Sequence, residues 1–130
     1  MSDLINIINN LPNMVHLTPA SNKDVTVSEE KLNMSFADDY KKYITTFGCI
    51  SAKGIELTGI CEHKRLNVVD VTKSEMTLNP NFPRHMYVIE NSGIEGILIL
   101  QNADGEIFEY VHGEYKKIYN SLNSYLESIK

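Results

Sequence analysis

Phe36-Ala37-Asp38-Asp39-Tyr40-Lys41-Lys42-Tyr43-Ile44-Thr45-Thr46-Phe47-Gly48 is the stretch on which the fold turns. Phe36, Tyr40, Tyr43, Ile44 and Phe47 recur at i, i+4, i+7, i+8 and i+11, one apolar stripe along a helix. Ser35 stands where it can cap that helix, and Asp38 and Asp39 place carboxylates in its first turn, at the positive end of the dipole. Gly48 occupies the position of a C′ residue, where the chain leaves a helix through positive φ.

Toward the N-terminus, Leu4, Ile7, Ile8 and Leu11 share one helical face and Pro12 ends the turn. Residues 18–24 read as a loop, and Thr26 with Glu29 has the capping-box spacing that predicts a short helix through Leu32. Toward the C-terminus, Gly54–Ile60 alternates apolar and polar residues as a half-buried strand does, and Val68-Val69-Asp70-Val71 reads as a second extended piece. Thr72 and Glu75 repeat the capping-box spacing and predict a short helix over 73–78, stopped at Asn79-Pro80.

Three strand-like runs follow. Met86–Glu90 is the first, and Asn91-Ser92-Gly93 turns the chain. Ile97-Leu98-Ile99-Leu100 is apolar at every position, which predicts a strand covered on both faces. Asn102-Ala103-Asp104-Gly105 is a hairpin turn by composition, and Glu106–Val111 returns from it. Gly113 breaks the pattern, and a last helix carries Ile118, Leu122, Tyr125, Leu126 and Ile129 on one face. The order predicts an α+β fold, an antiparallel sheet with helices packed around it. One domain is expected over 1–130, with a helix and loop over 1–23 before the main region, 24–129.

The composition narrows the function classes. At 130 residues, 42% apolar and 22% charged, the chain can bury a core without disulfides or metal. Its 17 acidic residues against 12 basic ones give a formal net charge of −5, which argues against nucleic-acid binding and suits a basic partner. Two cysteines, Cys49 and Cys61, are too few for a disulfide framework. The N-terminus lacks the basic and apolar regions of a signal peptide, and no apolar run is long enough to span a bilayer. A cytoplasmic protein with no membrane association is the expectation.

Chemistry-bearing patterns are sparse. No two histidines are spaced as a helical metal pair, and Cys61-x-His63, with His85 or His112 as distant helpers, falls short of the two close ligand pairs usual in structural zinc sites. Gly93-x-x-Gly96 lacks the helix and Lys of a phosphate loop. Glu106 and Glu109, three apart in a strand, should face opposite ways and make a poor acid–base pair. No enzyme activity, catalytic residue, metal or cofactor is expected.

Charge is unevenly placed. Between His85 and Tyr115 lie Glu90, Glu95, Asp104, Glu106, Glu109 and Glu114 with no Lys or Arg. The rest of the chain holds all 12 basic residues and 11 of the 17 acidic ones. Charges on a solvated sheet edge guard against aggregation. They equally make a docking surface for a basic protein, and Glu90, Glu95, Asp104, Glu106 and Glu109 are its candidate residues.

Taken in series, the motifs resemble the SUKH superfamily, which includes the Smi/Knr cell-wall regulators of yeast and many small bacterial proteins. The helix over 36–48 is similar to its Leu-Pro-x-Asp-Tyr-x-x-Phe-Leu…Gly signature, with Ser35-Phe36-Ala37 in place of the usual Leu-Pro. Gly54-Ile55-Glu56-Leu57-Thr58-Gly59, Asn79–Pro83, Tyr87–Gly96 and Asn102–Ile107 resemble later family motifs in consistent order. The resemblance implies an α+β domain without catalytic residues or cofactor. Among bacterial members it implies an immunity protein that binds and neutralises a cognate toxin, often a basic nuclease. The alternative it implies is a regulatory or scaffold module.

Overall fold

The computed structural model describes residues 3–52, 54–94 and 96–129. In chain order they form α1 (Leu4–Asn9), β1 (Val15–His16), α2 (Asn22–Leu32), α3 (Asp38–Phe47), β2 (Ile50–Ala52), β3 (Ile55–Leu57), α4 (Val68–Leu78), β4 (Met86–Asn91), β5 (Leu98–Asn102), β6 (Ile107–Val111), β7 (Glu114–Tyr119) and α5 (Leu122–Ile129). The architecture is α+β. β1, β2 and β3 make a small antiparallel sheet, and β4, β5, β6 and β7 make a larger antiparallel meander in chain order.

The large sheet is covered on both faces because its middle strands are apolar at successive positions. Tyr87, Ile89, Ile99 and Ile107 face the main core, where they meet α1, α3 and α5. Met86, Val88, Leu98, Leu100 and Tyr110 face the other way and pack with Phe82 and with Val71 and Met76 of α4.

The stripe of α3 is the centre of the main core. Tyr40, Tyr43, Ile44 and Phe47 are buried, and Tyr40 packs against Tyr87 with ring centroids 4.9 Å apart. The tyrosine hydroxyls bond across layers. Tyr43 donates to the Thr58 carbonyl oxygen (2.8 Å) and accepts from the Ile50 N–H (3.1 Å). Thr58 gives its single hydroxyl proton to the Val88 carbonyl oxygen (2.7 Å), so at the 3.0 Å contact between Tyr40 and Thr58 Tyr40 is the donor. Burial pushes both tyrosine hydroxyls far above the ordinary range and keeps them protonated.

The outer edge of β4 is closed in the same manner. The Val88 N–H donates to Thr72 Oγ1 (3.0 Å), the Val88 carbonyl takes the Thr58 hydroxyl, and the Ile89 carbonyl takes the Thr58 N–H (2.9 Å). Two threonines from outside the sheet thus satisfy a strand edge that would otherwise be open to pairing.

Six local readings are corrected. α2 starts earlier than Thr26. Ser21 caps it, accepting from the Asp24 N–H (3.1 Å), while Asp24 Oδ2 accepts from the Ser21 N–H (3.1 Å) to complete a capping box. Ser35 does not cap α3. Ala37 is the N-cap and makes no side-chain bond. The strand over 54–60 shortens to Ile55–Leu57, because Thr58 and Gly59 turn to bond Ile89 and Leu66. Val68–Val71 opens α4 rather than a strand. Asn67 Oδ1 accepts from the Val69 and Asp70 N–H groups (2.9 and 3.3 Å), and Val68 and Val69 are buried, so cap and burial outweigh β-branched propensity. Thr72, read as a cap, lies buried inside α4.

The sixth correction adds a strand. His112 and Gly113 both have positive φ, 52° and 85°, and form a tight turn that sends Glu114–Tyr119 back along β6. Ile118 therefore belongs to β7, and the last helix is α5 alone.

Candidate functional site

The five carboxylates of the candidate docking surface do not share one face. Glu90 is only 8% exposed and accepts a hydrogen bond from the Tyr125 hydroxyl of α5. It is withdrawn from any docking face, because the bulge between Val88 and Glu90 turns it toward α5. Glu95 lies outside the described residues. Glu106 donates nothing to a free negative surface. Its carboxylate takes Lys117 Nζ at 2.9 Å and Asn102 Nδ2 at 3.0 Å, and those partners, Lys117 foremost, hold it below the usual carboxylate range. Glu109 sits opposite Lys116 in the β6–β7 register. Only Asp104, at the tip of the β5–β6 hairpin, is both exposed and without an ion pair among the described residues.

What the hairpin tip does meet is the start of α3. A cleft of about 210 Å³ is lined by Asp38 and Asp39 on one side, Asp104 and Gly105 on another, and Asn120 and Ser121 on a third. The two aspartates of α3 have different tasks. Asp39 is structural: Oδ1 accepts from Gln101 Nε2 (2.9 Å) and Oδ2 accepts from the Leu122 N–H (2.9 Å) at the start of α5. Asp38 is exposed and points its charge to solvent beside Asp104. Reading Asp38 and Asp39 as a helix start is sound as far as it goes, but sequence distance hides their meeting with a turn more than sixty residues on. The acidic candidate site is therefore Asp38, Asp39 and Asp104, with the neutralised Glu106 at its margin.

Among the described residues no group of three or more His, Cys, Asp or Glu stands together in a form that could hold a metal ion. Cys49 is buried and Cys61 half-buried, with Cys61 Sγ donating to the His63 carbonyl oxygen (3.6 Å). No helix among the described residues is long and apolar enough to cross a membrane.

A family model described as SUKH_5, SMI1-KNR4 cell-wall, matches residues 1–129. The chain belongs to the SUKH_5 family. The match takes in α1 and β1, which lie ahead of the motif-bearing region over 24–129. No curated protein matches this SUKH_5 chain. The SUKH_5 assignment and the α+β architecture agree, and the structure places the apolar stripe of Phe36–Phe47 in the main core.

Glu90 gives a testable pH dependence. Burial raises its carboxyl above the usual range, and the Tyr125 bond only partly offsets this. A raised carboxyl favours the folded state when protonated. Its contribution is complete below the ordinary value of 4.5 and is lost as pH rises through the folded value. Glu90→Gln keeps an acceptor for Tyr125 and removes the charge. The variant should be more stable than wild type at pH 7, by about 1 kcal/mol. That gain should shrink toward zero as pH falls to the ordinary carboxylate range. Thermal denaturation of both proteins over pH 4.5–7.5 measures it, and a gain that grows on acidification contradicts the account.

Proposed function

We propose that this SUKH_5 protein is an immunity protein, a non-catalytic cytoplasmic antitoxin that binds a cognate basic toxin, such as a nuclease, and masks it stoichiometrically. Family membership over residues 1–129 carries the reading. The acidic cleft formed by Asp38 and Asp104 supports it, because a negative surface on a chain of net charge −5 accelerates encounter with a basic partner and competes for the groups that would hold phosphate. The docking face proposed here is the hairpin tip and the start of α3, with Asp104 retained from the acidic segment and Asp38 added. Glu90 has no part in it.

The test is growth of cells expressing the toxin encoded beside this gene, with and without the protein. Growth restored by the protein supports masking, and death at an unchanged rate ends the proposal. With purified partners, Asp38→Asn combined with Asp104→Asn should slow association by several-fold at low salt and flatten its salt dependence, leaving dissociation nearly unchanged. Unchanged on-rates would move the docking face elsewhere.

The words "cell-wall" in the family description favour a second reading, a regulatory or scaffold module without a toxin. A gene neighbourhood without a toxin, together with capture of several unrelated partners, would select it.

A further inference from the structure

The large sheet has a second cleft at the end opposite the Asp104 turn. Register places Asn91 beside Leu98 and Leu98 beside Tyr110, so β4, β5 and β6 contribute one row of residues there. A cavity of about 310 Å³ opens over that row, lined by Glu75 of α4, by Asn79 just past its end, and by Asn91, Leu98, Tyr110 and His112. This is the low end of the size of small-ligand pockets, roughly 300–1,000 Å³, and enough for the end of one side chain.

Tyr110 is the anomaly. It is 2% exposed, its ring packs on Phe82 at 5.3 Å, and its hydroxyl is the one buried side-chain nitrogen or oxygen among the described residues without a hydrogen-bond partner. The buried hydroxyls of Tyr40, Tyr43, Tyr87 and Tyr125 all have partners. An orphaned buried hydroxyl costs about 1–3 kcal/mol, and the residue that carries it here lines the cavity beside Glu75.

The lining says which kind. Glu75 brings a negative charge, and its Oε1 takes Asn79 Nδ2 at 2.8 Å, which leaves Glu75 Oε2 and Asn79 Oδ1 as acceptors. Asn91 Oδ1 is engaged by the Gly93 N–H at 3.0 Å. Burial first, and the charge of Glu75 second, push the Tyr110 hydroxyl up, so it stays neutral and offers its oxygen. A carboxylate beside neutral oxygen acceptors suits a cation with several N–H donors and repels an anion.

We infer that this cavity binds a guanidinium or alkylammonium group, either free or at the end of an Arg or Lys side chain of a protein partner. The inference stands on the cavity alone and does not require the partner to be a toxin.

The experiment is a titration of isotope-labelled protein, followed through the amide signals of Asn91, Tyr110 and His112. The probes are ethylguanidinium chloride, the capped tripeptide Gly-Arg-Gly and sodium propionate, at matched ionic strength. Both cations should give saturable shifts with roughly millimolar affinity, and propionate none. Glu75→Gln, which keeps an acceptor for Asn79, should weaken the cations by about tenfold or more, and Tyr110→Phe by about threefold. Tyr110→Phe should not lower the melting temperature, since its hydroxyl has no bond to lose. Tighter binding of the peptide assigns the group to a partner's side chain, and equal binding assigns it to a free small molecule. Either supports the inference. Saturable propionate binding, no saturable shift with either cation, or wild-type affinity in Glu75→Gln overturns it. The growth assay with toxin is read separately, so failure here leaves that reading intact.

Discussion

Gly59→Ala should unfold the protein or cost it 3 kcal/mol or more, about the upper range of single-site effects. A methyl group on Gly59 would stand 1.8 Å from the Gly48 carbonyl oxygen and 2.9 Å from Cys49 Sγ and the Gly48 carbonyl carbon. Two of those three neighbours are backbone, and a backbone cannot step aside as the end of a flexible side chain can. Neither flanking segment is free to move. Gly59 itself donates to the Leu66 carbonyl (2.8 Å) and accepts from the Val68 N–H (2.8 Å), which fixes the entry to α4. Gly48 accepts from the Ile60 N–H (3.2 Å), and its own φ is +76°, at the exit of α3. The clash therefore forces apart the end of α3 and the start of α4. Chemical denaturation should show a large fall in midpoint, or no cooperative transition. A midpoint within 1 M urea of wild type would mean that the two backbones are not in contact.

Asp39→Ala should be the next most damaging change, at about 3 kcal/mol. Asp39 is the node of a chain of bonds through the core. The Ala37 N–H donates to the Tyr87 hydroxyl (2.9 Å), Tyr87 donates to Gln101 Oε1 (2.6 Å), and Gln101 Nε2 donates to Asp39. The opposite carboxylate oxygen receives the first N–H of α5. Removing the carboxylate leaves Nε2 of the fully buried Gln101 with only the Gly105 carbonyl at 3.2 Å and leaves the Leu122 N–H without its acceptor. Asp39→Asn keeps one acceptor and should lose about half as much. If alanine and asparagine at this position behave alike in urea melts, the charge-assisted bonds are not what hold α5 in place.

These two sites mark how far the sequence can be read. The α3 stripe, the Asn102–Gly105 turn and the doubly covered strand after Ile97 were legible because each signal is local. Periodicity, turn composition and an unbroken apolar run need no knowledge of what lies across the core. The valines at 68–71 misled because their β propensity is an average over surroundings, whereas Asn67 supplies a cap and the core supplies burial.

The candidate acidic residues lie apart for a different reason. Counting charge along the segment to Tyr115 stopped one residue before Lys116, but β7 folds back and lays Lys116 and Lys117 on β6. A bulge then hid Glu90 against Tyr125. Both errors come from treating chain neighbours as surface neighbours. The Asp38–Asp104 meeting was invisible for the same reason, since nothing near either residue reports the other.

The two threonines on β4 have a dynamic consequence. Thr58 extends from the small sheet and Thr72 from α4, and both end on the backbone of Val88. Neither layer can peel away without exposing a backbone group of the same residue. Partial opening of one therefore loosens the other, and local fluctuations of the two sheets are coupled at that point. The Val88 amide should consequently exchange with solvent only on the timescale of whole-molecule unfolding, while amides near the Asp104 tip exchange through small, frequent openings.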